Sequence, residues 1–412
     1  MNFIAATIRF IVILGYGFIF TLKLAFARFK FDKDGFEKAS GTYFCRFLES
    51  AGGALPKLGQ ILGTRADLLS QPLRDALAKL QDETDPVITS SQLSTHEKNV
   101  QGYKLDPVPI ASATIAQVHI ARSLSEKDRT LAIKIRRPDV ARLLSIDCRI
   151  IVFFGRFVAR LPIMNSIPIN LTLIDVSTAL ISQTDFLKEA ENHKKLYSMF
   201  LESEDVMVPK LVDEFTSENI IAMEYIPNMK KILDPELDIE LAKPALNIGL
   251  KALYKMIFDF GFLHCDMHPG NMLVAEDGKL VLLDAGFMVE IDSETKTSFT
   301  NFFLAIGLVD GAGAAEIVRS SALTLPTELN INKFDADITK LIVSVGGLSA
   351  QNFRIAEFVS KLFEIMGDHR VLGTSKFSLI ILSLLVFEGT AKQLNPELDF
   401  QKVAIPFVIN NI

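Results

Sequence analysis

The sequence predicts an α+β fold in which a small strand-rich block precedes a long, mostly helical half. Residues 110–136 and 208–226 carry short runs of small and branched side chains with strand-like alternation. Residues 36–50, 140–160, 175–200 and 242–260 instead repeat apolar residues at helical spacing, and past residue 284 the helical pattern continues to the end.

At 412 residues the chain is long enough to bury a sizeable core, as one large two-lobed domain or a few modules. With 49% hydrophobic and 22% charged residues it reads as globular. A net charge of −6 argues against bulk nucleic-acid binding, which needs a basic surface to release counterions. Cys45, Cys148 and Cys265 are widely spaced and odd in number, so neither a disulfide scaffold nor a zinc knuckle is indicated.

Phe3 to Phe26 is almost wholly apolar, interrupted by Arg9 and Lys23. A spanning helix needs roughly 20 residues, and Arg or Lys near its ends snorkels to the headgroups. No acidic residue precedes Asp32, while Arg9, Lys23, Arg28 and Lys30 are basic. The stretch has no serine, unlike a cleaved mitochondrial presequence. Residues 1–30 are therefore expected to form a retained membrane anchor, with a buried core helix as the competing reading.

Phe36 to Ser50 has helical spacing, and Ala51 to Arg65 follows with Lys57-Leu58-Gly59-Gln60 inside it. Pro56 suits the first turn of a helix, and the small residues permit close approach of another backbone. From spacing alone, Lys57 and Gln60 fall on a solvated face. Gln71-Pro72 and Asp85-Pro86 punctuate a set of short helices.

Ile110 to Ala121 reads as a hairpin, and Thr130 to Pro138 as a strand carrying Lys134 near its end. A loop of small side chains followed by a strand lysine can cover phosphates and meet their charge. An ordinary strand-face lysine fits the same pattern. His119 reads as structural, because nothing nearby supplies a nucleophile.

Val140 to Arg160 and Asp175 to Phe200 read as long helices. Asp185 and Glu189 are four apart and share one helix face, either as a carboxylate orienting Lys134 or as a solvated acidic face. Strand-like pieces follow at Val208 to Val212 and Asn219 to Ile226, with a turn at Pro227-Asn228. Asp238 suits an N-cap, and the helix from Ala242 to Phe260 stops at Gly261. Farther on, Asp292-Ser293 caps Glu294 to Gly307. The eleven apolar residues from Phe377 to Phe387 are too few to span a bilayer comfortably and suit a core helix.

The chemistry concentrates in Phe262 to Asn271 and in the apolar run that ends Leu283-Asp284-Ala285-Gly286. His264 and His268 have the i, i+4 spacing of a zinc pair. In a zinc metalloprotease, however, the acid directly follows the first histidine on a regular helix, whereas here Cys265 is next and Pro269-Gly270 breaks the helix. On a loop, Asp266 can accept a proton or position a hydroxyl, the Asn271 amide oxygen can bind Mg²⁺, and Asp284 can join it. With Lys134 and Glu189 this makes five groups in the chain order of a protein kinase.

Taken together, Lys57-Leu58-Gly59-Gln60, Ala111 to His119, Lys134, Asp185-Phe186 with Glu189-Ala190-Glu191-Asn192, His264 to Asn271, and Asp284 resemble the UbiB-like (aarF-domain-containing) atypical kinases associated with coenzyme Q biosynthesis. The resemblance covers roughly residues 40–300. It implies a protein-kinase-like two-lobed fold with an N-terminal helical extension. On that plan residues 1–30 are the anchor, 31–105 the extension with its Lys-x-Gly-Gln motif, 106–228 the N-lobe and 229–412 a mostly helical C-lobe.

The same resemblance implies ATP and Mg²⁺ as cofactors. It assigns the nucleotide loop to Ile110-Ala111-Ser112-Ala113-Thr114-Ile115-Ala116-Gln117-Val118, the ATP lysine to Lys134 and its helix partner to Glu189. Asp266 takes the general-base position, and Asn271 and Asp284 are the metal ligands. Lys57 and Gln60 reach the nucleotide pocket instead of solvent, and Glu224 to Ile226 lie at the hinge where adenine binds. The extension occludes the usual peptide site, so ATP hydrolysis and lipid-linked roles are expected more than protein phosphorylation.

The partners implied are a membrane lipid or quinone-type molecule and proteins of a biosynthetic complex, with no nucleic acid. The place implied is a membrane, the mitochondrial inner membrane in a eukaryote or the cytoplasmic membrane in a bacterium. Two departures stand out. The family's Glu-x-Asp is Gln183-Thr184-Asp185 here, and its Asp-Phe-Gly is Asp284-Ala285-Gly286, changes that resemble a divergent mitochondrial subgroup. A nucleotide-binding pseudokinase scaffold is therefore the competing expectation.

Overall fold

The computed structural model describes residues 3–64, 71–77, 80, 87–126, 129–158, 169–346 and 353–411. Five helices come first: α1 (Phe3–Lys30), α2 (Lys33–Ala51), α3 (Leu55–Thr64), α4 (Gln71–Leu77) and α5 (Ser90–Glu97). Local capping explains two of the starts. The Asp32 carboxylate accepts from the Gly35 amide before α2, and Thr89 forms a reciprocal capping box with Gln92 before α5. Arg65 and the Asp85-Pro86 break lie outside the described residues.

Four strands follow, β1 (Tyr103–Leu105), β2 (Ala111–Ser112), β3 (Ala116–Ser123) and β4 (Thr130–Arg136). Next come α6 (Val140–Val158), α7 (Ile169–Ser182), α8 (Phe186–Phe200), β5 (Val206–Met207) and β6 (Ile220–Glu224). The first sheet is antiparallel in the order β1-β3-β4-β6, with β2 folded back on β3. Its period-two alternation puts Leu131, Ile133 and Ile135 into a core with Ala121, Ile220 and Ala222. Lys134 therefore points from the opposite face.

The single helix expected from Asp175 to Phe200 is two helices, α7 and α8. Residues 183–185 break it because their polar groups cap instead of continuing the ladder. The Thr184 hydroxyl donates to the Ile181 carbonyl at 2.7 Å, and the Asp185 carboxylate accepts from the Lys188 amide at 3.1 Å. Asp185 thus caps α8 and is exposed, while Glu189 is buried. They do not share a helix face. The end expected for α6 at Arg160 lies outside the described residues.

The remaining elements are β7 (Lys230–Lys231), α9 (Ile239–Tyr254), a π-helical turn (Lys255–Phe260), β8 (Phe262–His264), β9 (Met272–Val274), β10 (Leu280–Leu282) and β11 (Met288–Glu290). They lead to α10 (Ser293–Gly307), α11 (Gly311–Ser320), β12 (Ala322–Thr324), α12 (Ile331–Val345), α13 (Ile355–Asp368), β13 (Leu372–Gly373), α14 (Ser375–Leu394) and α15 (Phe400–Ile409). The part after Asp284 is thus helical apart from three short strands: β11 pairs with β8, and β12 with β13. In α14 the inward face is buried, and Glu388 accepts from the first amides of α13, Ile355 and Ala356, both at 2.8 Å.

The chain divides into two compact units, Met1–Glu191 with Lys210–Tyr225, and Asn192–Pro209 with Ile226–Ile412. By length and composition α1 and α14 could each cross a membrane; α1 is mostly exposed and α14 mostly buried.

Candidate active site

In the first unit, Lys134 on β4 meets Glu189 on α8 with Nζ to Oε1 at 2.5 Å. Both side chains are largely shielded, Lys134 at 13% exposure and Glu189 at 4%. Phe186 lies under the ammonium, 5.5 Å from ring centroid to Nζ, and packs with Ala116 and Ile221 as an apolar floor. Of the two readings of Asp185 and Glu189, the oriented-lysine one holds for Glu189 alone.

The residues of the expected nucleotide loop form a tight hairpin. Ile110 donates to Val118 at 2.8 Å, Ala113 donates to Ala116 at 2.9 Å, and Thr114 and Ile115 make the turn. The hairpin is tied down, since Arg137 donates to the Ser112 hydroxyl at 2.9 Å and to the Ile115 carbonyl at 2.9 Å. Gln117 is fully buried, and its amide oxygen accepts from the Val87 and Ile88 backbone. That side chain holds the preceding segment. His119 is buried with Nδ1 at 2.8 Å from the Asp106 carbonyl, as a structural residue should be.

On α3, Gln60 donates to the Leu80 carbonyl at 3.1 Å, so its amide group is engaged within the helical extension, and Lys57 is half-buried on the same helix. Gly59 between them is required by packing. A Cβ there would lie 2.5 Å from both the Leu48 and Leu80 methyl groups. Glu224 is exposed at the end of β6, and the two compact units divide between Tyr225 and Ile226.

The second unit assembles the other three groups. After the π-helical turn, Gly261 adopts the left-handed conformation at φ +62°, and β8 delivers His264 into the interior. Asn271 Nδ2 donates to the Asp266 carbonyl at 2.9 Å, which folds the loop between them. The hairpin of β9 and β10 pairs Met272 with Leu282, and the Leu283 amide donates to the Asn271 carbonyl at 3.0 Å. Asn271 and Asp284 are thereby brought to the same end of one hairpin. Asp284 sits at φ +57°, a left-handed backbone that costs about 1–3 kcal/mol for a residue other than glycine. Its carboxylate accepts from the Gly286 amide at 3.0 Å, which helps to hold that shape.

His264 cross-braces the site. Nδ1 accepts from the Asp266 amide at 3.1 Å, so Nε2 carries the proton and donates to the Leu283 carbonyl at 3.2 Å. Burial pushes its pKa below the ordinary histidine value. Both ring nitrogens are committed, and among the described residues no three His, Cys, Asp or Glu side chains converge as a metal site. The zinc alternative fails on that geometry. Burial also pushes the Cys265 thiol up to about 12, which makes it inert as a nucleophile.

The donor set suits a different cation. With Nδ2 donating to Asp266, the Asn271 amide oxygen is the atom left to meet a cation, and Asp284 contributes a carboxylate-bearing residue from the same end of the hairpin. Mg²⁺ characteristically takes one or two such oxygens and fills its shell with phosphate and water. The Asp266 carboxylate is about one-third exposed, 3.9 Å from His268 Nε2, and so open to a reactant.

Residues 74–318 match the ABC1 atypical kinase-like domain, and residues 338–399 match the UbiB helical domain. The chain belongs to the ABC1/UbiB atypical kinase family. It is 30% identical over 413 aligned positions to an uncharacterized Clostridium pasteurianum protein in the hydrogenase 1 5′ region, covering 96% of this chain and 73% of that one. It is 29% identical to a probable protein kinase UbiB of Erwinia tasmaniensis, covering 88% and 69%. An Arabidopsis thaliana aarF domain-containing protein kinase named as chloroplastic is 27% identical, covering 89% and 53%.

Within this ABC1/UbiB chain, two residues of the site went without a role in the sequence reading. Asn192, on the helix turn after Glu189, donates to the Ala285 carbonyl at 3.1 Å and so fastens the Asp284-Ala285-Gly286 turn. Its spacing of three from Glu189 was the available signal. His264 was visible only as half of a histidine pair, because its partners are backbone groups that no side-chain pattern reports.

Proposed function

We propose that this protein is a membrane-bound atypical kinase or ATPase that uses Mg²⁺-ATP in support of coenzyme Q or related lipid metabolism. The observation that carries the reading is the hairpin that brings Asn271 and Asp284 together while Asn271 also ties Asp266. In this reading Asn271 and Asp284 hold the cation, and Lys134, oriented by Glu189, meets phosphate charge. Asp266 accepts the proton of an acceptor hydroxyl or of water. Bound Mg²⁺-ATP supplies an electrophilic phosphoryl group and the charge that neutralises it. The hairpin of Ile110 to Val118 covers the nucleotide. The membrane is the cytoplasmic one in a bacterium or the mitochondrial inner one in a eukaryote, and a quinone-type or lipid molecule is the partner.

A nucleotide-binding scaffold within a biosynthetic complex is the second reading. It is favoured by Gln183, a buried amide where the family resemblance places a carboxylate, and by the small, fully buried Ala285 in the metal turn. Nucleotide thermal shift and ATPase turnover, measured together, separate the two. An Mg²⁺-dependent shift with phosphate release that disappears in Asp266→Asn supports the enzyme. A shift with no such release supports the scaffold. If Lys134→Ala leaves both signals intact, the nucleotide reading is wrong.

A further inference from the structure

Helix α1 is long enough to span a bilayer, yet one whole side of it is already occupied by α2. Phe20 packs on Phe44 and Phe47, Lys23 lies over Tyr43, and Arg28 lies over Phe36. The falling and rising numbers show that the two helices run antiparallel along most of α1. At the far end Arg9 turns inward. It donates to both oxygens of the fully buried Asp147 at 2.8 Å, to the Ala51 carbonyl at 2.8 Å and to the Gly52 carbonyl at 3.2 Å. Asp147 also accepts from the Ala54 amide, at 2.8 Å. Gly53 lies at φ +65° between the two charges, where a Cβ would meet both.

The outward side of α2 carries exposed Lys38, Arg46 and Glu49. If α1 crossed a bilayer in this packing, those charges would be carried into the hydrocarbon with it. The free side of α1 is a continuous apolar ridge of Ile11, Leu14, Phe18, Leu22, Phe26 and Phe29, between 43% and 92% exposed. At 100° per residue, Lys23 and Lys30 border this ridge on one edge and Arg28 on the other, and no acidic residue precedes Asp32. An exposed apolar stripe edged by cations matches the section of a bilayer surface, with acyl chains at the middle and anionic headgroups at the margins.

We propose that α1 lies in the plane of an anionic bilayer surface and docks the protein by its outer ridge without crossing the membrane. This rests on the membrane reading above and narrows it. The Arg9–Asp147 clasp is then a structural pin that holds α1 side-on to the helices it packs against, where a snorkelling arginine would reach for headgroups.

The chain has no tryptophan, so a single one reports depth without background. Ile11→Trp, Phe18→Trp and Phe26→Trp, each alone in the full chain, are bound to vesicles of phosphatidylglycerol and phosphatidylcholine whose acyl chains are brominated at defined carbons. The in-plane helix places all three at one shallow depth, quenched most by bromines nearest the headgroups. A gradient with Phe18→Trp deepest overturns the proposal in favour of a spanning helix. Absence of quenching in all three also overturns it, and concentration-dependent dimerisation in that case identifies a second copy of the chain as the occupant. Phe18→Glu with Leu22→Glu should reduce vesicle co-sedimentation at least tenfold while leaving the nucleotide thermal shift unchanged, so that failure of the docking and failure of the nucleotide reading are told apart. Undiminished co-sedimentation of that variant would also overturn the ridge.

Discussion

Asn271 donates its side-chain amide to the carbonyl of Asp266 at 2.9 Å, so it shapes the loop that presents Asp266, and in the proposed reading its amide oxygen also meets the cation. These two duties can be separated by substitution. Asn271→Asp keeps an oxygen in place but sets a carboxylate against the Asp266 carbonyl, losing a hydrogen bond worth about 1 kcal/mol. ATPase turnover is expected to fall about tenfold or more while the Mg²⁺-dependent thermal shift persists. Asn271→Ala should abolish that shift. Equal loss of binding and turnover in both variants would contradict the split.

Lys134 and Glu189 form a largely buried ion pair, so each is the other's close opposite charge. Lys134→Ala is expected to destabilise the protein by about 3–5 kcal/mol, the usual cost of breaking a buried pair from one side. Lys134→Met combined with Glu189→Leu should recover much of that loss, because matched apolar side chains replace the pair without leaving a charge. Denaturant midpoints of Lys134→Met, Glu189→Leu and the double complete the cycle; additive losses would mean that the pair is not coupled.

The buried, neutral His264 makes stability depend on pH. Burial holds its folded pKa below the ordinary histidine value of about 6.5, so below that pH the unfolded chain takes up this proton more readily than the folded one. Its contribution is therefore present above pH 6.5 and is lost as pH falls toward the folded pKa. The limiting slope is about 1.4 kcal/mol per pH unit for one proton. His264→Gln removes the titration, so its denaturation midpoint should vary less between pH 6.5 and 5 than that of the wild type. Parallel pH profiles would assign the acid sensitivity to other groups.

Gly59 packs a backbone face against two buried leucine methyl groups, with no room for a Cβ. Gly59→Ala is expected to cost about 1–3 kcal/mol through forced repacking. Gly59→Ala with Leu48→Ala should be less destabilised than the sum of the two singles, read from chemical denaturation. Strict additivity would show that α3 moves away instead.

Much of this architecture was legible from local chemistry. Strand alternation identified the hairpin and the strand bearing Lys134, and the Asp238, Asp292 and Gly261 boundaries followed from capping rules. What was not legible depended on competition or distance. Residues 183–185 looked helical by apolar spacing, but the side chains of Thr184 and Asp185 compete for backbone partners and split the helix. The backbone partners of Gln60 and Gln117, at Leu80, Val87 and Ile88, lie too far along the chain for any local pattern to report them.

The sequence by itself determined the α+β class, the family resemblance and the identity of the polar groups, because each is written in residue type and short-range period. Tertiary structure alone decided how those groups are spent. Arg9 and Asp147 are 138 residues apart, and no local pattern can report that a cation in an apolar helix turns inward to a buried carboxylate. Burial of a charge must be compensated wherever the partner comes from, and the fold, not the spacing, supplies that partner.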